Sequence, residues 1–153
     1  VVVATNGYAR ELLPHLDVQP ARGQVLLTAP IPGLRLKGTY HADEGYLYFR
    51  DFAGSVLLGG GRNLDKAGEA TTEDAVTPQI QEHLEQLLRN VILPDQPFTI
   101  ARRWSGVMGF GSEGKAPLVE RVSPHVVAAV RLSGMGVAIG IRVARRAAGL
   151  VSQ

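Results

Sequence analysis

Val126–Val130 reads VVAAV, and Val1–Thr5 reads VVVAT at the other end of the chain. A strand with one wet face alternates apolar and polar residues. An uninterrupted apolar run needs cover on both faces, the pattern of a strand inside an α/β sheet. Two such strands call for helices above and below them. One is followed by a clear helix, because Ser133-Gly134-Met135-Gly136 turns out of Val130 into a stretch of helical character from about Val137 to Val151. After Val1–Ala4 the chain breaks at Asn6-Gly7, leaving a short helical turn from Tyr8 to Leu13 before Pro14. A buried strand seldom opens a natural chain, since its sheet neighbours must come from elsewhere. The expectation is that upstream sequence has been lost.

Between the ends the pattern changes. Pro20 and Gly23 bracket a crossing into a strand at Gln24–Thr28. Tyr40-His41, a turn at Asp43-Glu44-Gly45, Tyr46–Arg50, a turn at Asp51–Gly54 and Ser55–Leu58 follow, ending in Gly59-Gly60-Gly61. Aromatic and β-branched runs separated by Gly/Asp turns read as an antiparallel meander. Thr77-Pro78 opens a helix over 78–91, with Thr at the cap and Pro at the first helical position. Its apolar stripe is Ile80, Leu84, Leu87, Leu88 and Val91. Phe98–Trp104 reads as a further strand, followed by a glycine-rich loop from Gly106 to Gly114. The class is therefore α+β, an antiparallel or mixed sheet flanked by remnants of an α/β nucleotide-binding domain. The domain plan is 1–17 (strand and turn), 18–103 (inserted domain) and 104–153 (glycine loop, strand 126–130, helix 137–151).

Composition excludes several functions. With 45% apolar residues, 20% charged and a net charge of +2, the 153-residue chain can bury a core and shows no call for nucleic acid. It has no cysteine, which removes disulfides, thiolate metal sites and a nucleophilic Cys. No apolar run reaches the roughly 18–20 residues of a membrane span, and a cytoplasmic location is expected. Arg142, Arg145 and Arg146 read as a solvated, dipole-matched helix end. The histidines His15, His41, His83 and His125 lack metal-ligand spacing, so no metal is expected. Asp43-Glu44 and Glu73-Asp74 sit where turn and helix-start carboxylates normally do. No catalytic residue can be assigned.

The turn at Ser133–Gly136 carries the clearest chemistry. Glycines let a ligand approach the backbone, and the first N–H groups of a helix favour an electron-rich group. Small residues at such a turn can equally serve close helix–strand packing. The phosphate fingerprint G-x-G-x-x-G belongs after the first strand of a dinucleotide fold, and the expectation is that it occurs nowhere in the chain.

Taken in order, Ala4-Thr5-Asn6-Gly7-Tyr8, Arg22-Gly23-Gln24-Val25, Gly45-Tyr46-Leu47-Tyr48-Phe49-Arg50 and Leu57-Leu58-Gly59-Gly60 form a series. Trp104-Ser105-Gly106, Ala116-Pro117-Leu118-Val119 and Ser133-Gly134-Met135-Gly136-Val137 complete it. The series resembles the FAD-dependent amine and D-amino-acid oxidase family, which includes glycine oxidase, sarcosine oxidase and γ-glutamylputrescine oxidase-like proteins. The resemblance covers essentially the whole chain. It implies oxidation of the C–N bond of an amine or amino acid by hydride transfer to FAD. It further implies that Thr5, Asn6 and Gly7 lie beside the cofactor. Gly134, Met135, Gly136, Val137 and Ala138 would present a helix N-terminus to the pyrimidine edge of the isoalloxazine. The meander and the 78–91 helix would belong to the substrate domain, with Tyr46, Tyr48, Arg50 and Met108 as substrate-side candidates.

Two departures from the family carry weight. The phosphate-binding part and the acidic residue for the adenosine ribose are absent, so this chain alone is expected to bind FAD weakly or not at all and to be inactive. Partners would be a small amine or amino acid and a separate N-terminal FAD-binding part, with neither nucleic acid nor membrane. In amino-acid-oxidising relatives, an Arg two residues past Trp-x-Gly clamps the substrate carboxylate; here that position is Met108. Either the substrate lacks that carboxylate or another Arg serves, with Arg50, Arg102 and Arg103 as candidates. The competing reading is a non-catalytic interaction module that pairs with a separate nucleotide-binding half. A homo-oligomer built on the apolar runs at Val1–Ala4 and Val126–Val130 is a third outcome.

Overall fold

A computed structural model describes residues 1–152. Along the chain run β1 (Val2–Val3), α1 (Ala9–Leu12), β2 (Gln19–Thr28), β3 (Thr39–Ala42), β4 (Leu47–Phe52) and β5 (Ser55–Gly60). Then come α2 (Pro78–Leu87), β6 (Ile100–Phe110), β7 (Leu118–Ser123), β8 (Val126–Val130) and α3 (Gly136–Val151). The class is mixed α and β, as the sequence indicates. The chain forms two compact units. One holds Val1–Ala21, Ala70–Thr72 and the described residues from Val107 on; the other holds Arg22–Glu69 and Glu73–Gly106.

In the first unit the two apolar runs pair with each other. β1 lies parallel to β8, with Val2 opposite Val127 and Val3 opposite Ala128, and β7 pairs antiparallel on the other side of β8. The central strand is covered twice. Val127 and Ala129 pack with Val119 of β7 and with Val143 and Ala147 of α3. Ala128 and Val130 pack on the opposite face with Ala9, Leu16 and Val18. Successive side chains of β8 therefore enter different apolar clusters, which is why no polar residue interrupts the run. The outer strand differs: Val1 and Val2 are exposed and only Val3 is buried. Arg142, Arg145 and Arg146 lie on the exposed surface of α3, and the helix has no basic residue in its last turn. A dipole-matched helix end is therefore not what they form.

In the second unit the strand order is β3-β4-β5-β2-β6, with antiparallel pairing from β3 through β4 and β5 to β2. Ile80, Leu84 and Leu88 are buried against Leu26, Val56 and Leu58. The stripe ends earlier than helical spacing suggests. Leu88–Ile92 is a π turn, and the wider spacing leaves Val91 67% exposed while Leu93 enters the core. Two further expectations are corrected. β2 begins at Gln19, so Pro20 and Gly23 lie within the strand. β6 continues through Phe110, so most of the stretch expected as a loop is strand. β7, an alternating strand of which Val119 alone is fully buried, was absent from the sequence reading.

A buried polar core ties the second unit together. Arg22 donates from Nε and Nη2 to the two oxygens of Glu69 at 3.1 and 2.6 Å, and both side chains are almost fully buried. Gln24 donates to Glu69 and to the Thr77 hydroxyl, and accepts from the Thr77 N–H and from Gln81. Thr77 makes no side-chain cap for α2; the Gln24 amide grips it from outside the helix instead.

Candidate functional site

Three segments of the first unit converge around the start of α3. The Asn6 side-chain oxygen accepts the Leu132 N–H at 3.1 Å, and the Ser133 N–H donates to the Gly109 carbonyl at 2.9 Å. Glycine is required at the contacts. A Cβ on Gly7 would lie 2.6 Å from the Met108 carbonyl oxygen, and one on Gly109 would lie 2.9 Å from the Asn6 side-chain oxygen. A Cβ on Gly134 would stand 3.5 Å from the Met108 sulfur. Asn6, Gly7, Met108 and Gly134 are thus neighbours. Thr5 is exposed, and its carbonyl accepts the Tyr8 N–H.

The turn itself is held in an unusual backbone conformation, with Arg131, Ser133 and Gly134 at φ of 64°, 50° and 78°. Left-handed geometry at non-glycine residues is costly and persists where neighbours enforce it. Arg131 supplies part of that enforcement. It donates to the Ala116 carbonyl at 2.8 Å and to Asp17 at 2.6 Å, and Asp17 also accepts the Ser112 N–H at 2.9 Å. The Ser112 N–H, with Arg131 adding to it, holds the Asp17 carboxyl below its ordinary range.

The N–H groups of Leu132, Ser133, Met135 and Ala138 are satisfied within the protein. Those of Gly134, Gly136 and Val137 have no acceptor among the described residues. α3 has no acidic residue in its first turn, so its positive dipole end is uncompensated. Met135, Val137 and Ala138 are exposed. The Ser133 hydroxyl at the base of the turn is buried without a hydrogen-bond partner among the described residues. Such a turn can receive an electron-rich, planar edge, because the glycines keep side chains out of the approach and the free N–H groups point outward from a helix start.

The expectation that the chain lacks the G-x-G-x-x-G spacing is corrected, because Gly109–Gly114 has it; there it joins β6 to β7 with no helix after it. The Ser112 N–H within it is already bound by Asp17. The segment therefore lacks the helix start that binds a pyrophosphate in a dinucleotide fold.

In the second unit, the run Gly59-Gly60-Gly61 is explained by two tyrosines. The Tyr48 ring lies over Gly59, where a Cβ would come within 2.5 Å of it, and burial pushes the Tyr48 hydroxyl pKa up. Gly60 has a φ of 128°, and a Cβ there would lie 1.9 Å from the Tyr46 carbonyl oxygen. That carbonyl accepts the Gly61 N–H at 2.9 Å. β4 begins at Leu47, so strand alternation positions Tyr48 but not Tyr46. Tyr46 closes a turn in which Asp43, Glu44 and Gly45 all have positive φ.

The Tyr46 ring has two cations on it, the Arg62 guanidinium at 5.9 Å and the Lys66 ammonium at 5.2 Å from its centroid. Neither was singled out from the sequence. Arg50 is exposed and folds back on its own strand, over the Phe52 ring and onto the Asp51 carbonyl. Arg103 is bound by Gln81 and Glu85, and Arg102 is exposed. No group of metal-binding side chains occurs among the described residues, and no described helix is long and apolar enough to cross a membrane.

Comparison with known proteins gives a consistent result. The sequence model of a family described as DAO, FAD dependent oxidoreductase, matches residues 1–150. Glycine oxidase from Geobacillus kaustophilus is similar over 99% of this chain and 41% of its own, with 21% identity and a TM-score of 0.76. Iminodiacetate oxidase from Chelativorans sp. BNC1 is similar over 99% and 42%, with 22% identity and a TM-score of 0.72. L-proline dehydrogenase from P. horikoshii is similar over 99% and 41%, with 18% identity and a TM-score of 0.68. The chain thus spans about two fifths of the length of these structures, and at such identities the likeness is one of fold. No curated protein matches it.

Proposed function

The chain belongs to the FAD dependent oxidoreductase family, and from that premise we propose that its first unit forms the isoalloxazine side of the flavin site in an enzyme that oxidises the C–N bond of an amine or amino acid. The observation that carries this reading is the convergence of Asn6–Gly7, Met108–Gly109 and Ser133–Gly136 at the N-terminus of α3. The unmatched N–H groups of Gly134, Gly136 and Val137 and the uncompensated helix dipole suit the pyrimidine edge, where reduction builds negative charge. When bound, FAD supplies the hydride acceptor. The chain's own residues would hold the ring: Gly7 and Gly109 let the three segments close on one another, Gly134 leaves the approach open, Asn6 fixes the turn, and Arg131 locks the turn's entry against Asp17.

The same reading makes the chain inactive alone, with the pyrophosphate and adenosine held by another polypeptide segment that supplies a strand–G-x-G-x-x-G–helix. Met108 presents a thioether where amino-acid-oxidising relatives carry a carboxylate clamp, so the substrate's charge is not read at that position. Thr5 supports the site through the chain turn rather than as a reacting group. Co-expression with such a nucleotide-binding segment is expected to give a yellow complex whose flavin is bleached by amines or amino acids under anaerobic conditions. A well-folded complex that binds FAD but is reduced by none of them would defeat the catalytic reading.

A further inference from the structure

We propose that the cavity between the loop of residues 33–36 and the segment 92–96 binds a zwitterionic amino acid with an apolar side chain. The cavity has a volume of about 640 Å³ and lies wholly within the second unit. Small-molecule pockets span roughly 300–1,000 Å³. Its walls are fixed by the backbone. On one side the Ala29 N–H donates to the Thr99 carbonyl at 2.9 Å and the Ile31 N–H to the Gly54 carbonyl at 2.8 Å. Ile31 is thereby buried, and Leu36 packs against the core. Gly33, at a φ of 70°, turns the loop, and the Gly38 N–H secures its far end on Asp51 at 2.8 Å. On the other side the Leu93 N–H donates to the Leu88 carbonyl at 2.8 Å and closes the π turn, which puts Leu93 into the core with Ile92 against it. Such turns recur at functional sites. Tyr40 completes the lining, its ring stacked on Phe49 at 4.8 Å and its hydroxyl donating to the Lys37 carbonyl at 2.7 Å.

The lining joins an apolar part to two opposite charges. Arg35 and Asp95 line the same cavity yet form no ion pair, and neither side chain has a partner among the described residues. The side chain of Gln96, also in the lining, is equally unengaged. A cation and an anion held apart in one cavity suit a ligand that carries both signs. The Arg35 guanidinium is a planar fork matched to a carboxylate, and the Asp95 carboxylate accepts from an ammonium group. Leu36, Ile92 and the Tyr40 ring offer apolar surface to the ligand's side chain. A ligand with one charge alone satisfies one of the two ionic partners and leaves its uncharged end against the other. None of these residues belongs to the α3 turn, so the proposal does not rest on the flavin reading.

Norleucine, glycine, hexanoate and hexylamine are titrated separately into the isotopically labelled full chain without flavin. The signals followed are the Arg35 side-chain N–H and the backbone amides of Leu36, Asp95 and Gln96. Norleucine is expected to give saturable shifts there. Hexanoate and hexylamine each lack one charge and glycine lacks the apolar side chain, so each should bind at least about tenfold more weakly. Arg35→Gln and, independently, Asp95→Asn lie at exposed positions and should each weaken norleucine by about tenfold while the remaining amide spectrum stays native. Absence of these shifts in the folded chain, shifts confined to other residues, equal binding of hexanoate or hexylamine, or undiminished binding in both variants overturns the proposal.

Discussion

The side-chain oxygen of Asn6 accepts the backbone N–H of Leu132 at 3.1 Å, joining the end of the first strand to the turn that starts the last helix. Asn6 does this from a backbone φ of 46°, a region Asn tolerates better than most residues. Asn6→Ala should lose both the bond and the backbone preference, lowering stability by about 1–3 kcal/mol. Urea denaturation checks the size, and faster hydrogen exchange at the Leu132 amide checks the cause. Unchanged exchange there would disconnect Asn6 from the turn.

Gly60 and Gly140 should respond oppositely to the same change. Gly60→Ala places a methyl group 1.9 Å from the Tyr46 carbonyl oxygen at a φ of 128°, so the β4–β5 hairpin should fail to form and the chain should be recovered insoluble. Gly140 lies in α3 with open space around its Cβ position. Gly140→Ala should stabilise by about 0.5–1 kcal/mol through helix propensity. Soluble yield on expression decides the first outcome and a thermal melt the second.

The buried pair of Arg22 and Glu69 makes a third test. Glu69→Ala leaves the Arg22 guanidinium in the interior without its bidentate partner, a loss of about 3–5 kcal/mol. Replacing both residues with apolar side chains of similar size should recover much of it. Equal losses for the single and double replacements, measured by denaturant unfolding, would contradict this account.

Asp17 gives the pH dependence its sign. Its folded pKa is lowered, chiefly by the Ser112 N–H and then by Arg131. The contribution is therefore fully present above the ordinary aspartate value of about 4 and is lost as pH falls through the lower folded value. Stability should decline below about pH 4, and Asp17→Asn should flatten that decline. An identical acid slope in the variant, followed by intrinsic fluorescence, would remove Asp17 from the latch on Arg131.

How far the sequence could be read follows from which residues report their own surroundings. Val126–Val130 announced a doubly covered strand because each face of β8 meets a separate apolar cluster. The turn at Ser133–Gly136 was legible from its glycines. The length of β6 was not, since the residues beyond Trp104 include two glycines and little that is buried. Val91 misled because a π turn breaks the helical period at Leu88–Ile92. Arg62 and Lys66 escaped notice because their meeting with Tyr46 depends on the pairing of β4 with β5, which no local pattern encodes. The triple glycine was the available signal, and it was read only as a strand end.

The proposed seat of the isoalloxazine edge is the N-terminal turn of α3. Amide shifts of the labelled chain titrated with riboflavin, which carries the ring without the adenosine diphosphate, test it most directly. Saturable shifts confined to Asn6, Gly7 and Leu132–Val137 are expected, with FAD binding no more tightly than riboflavin and no flavin retained on purification. Unmoved amides at Gly134, Gly136 and Val137 in a folded chain would contradict the account.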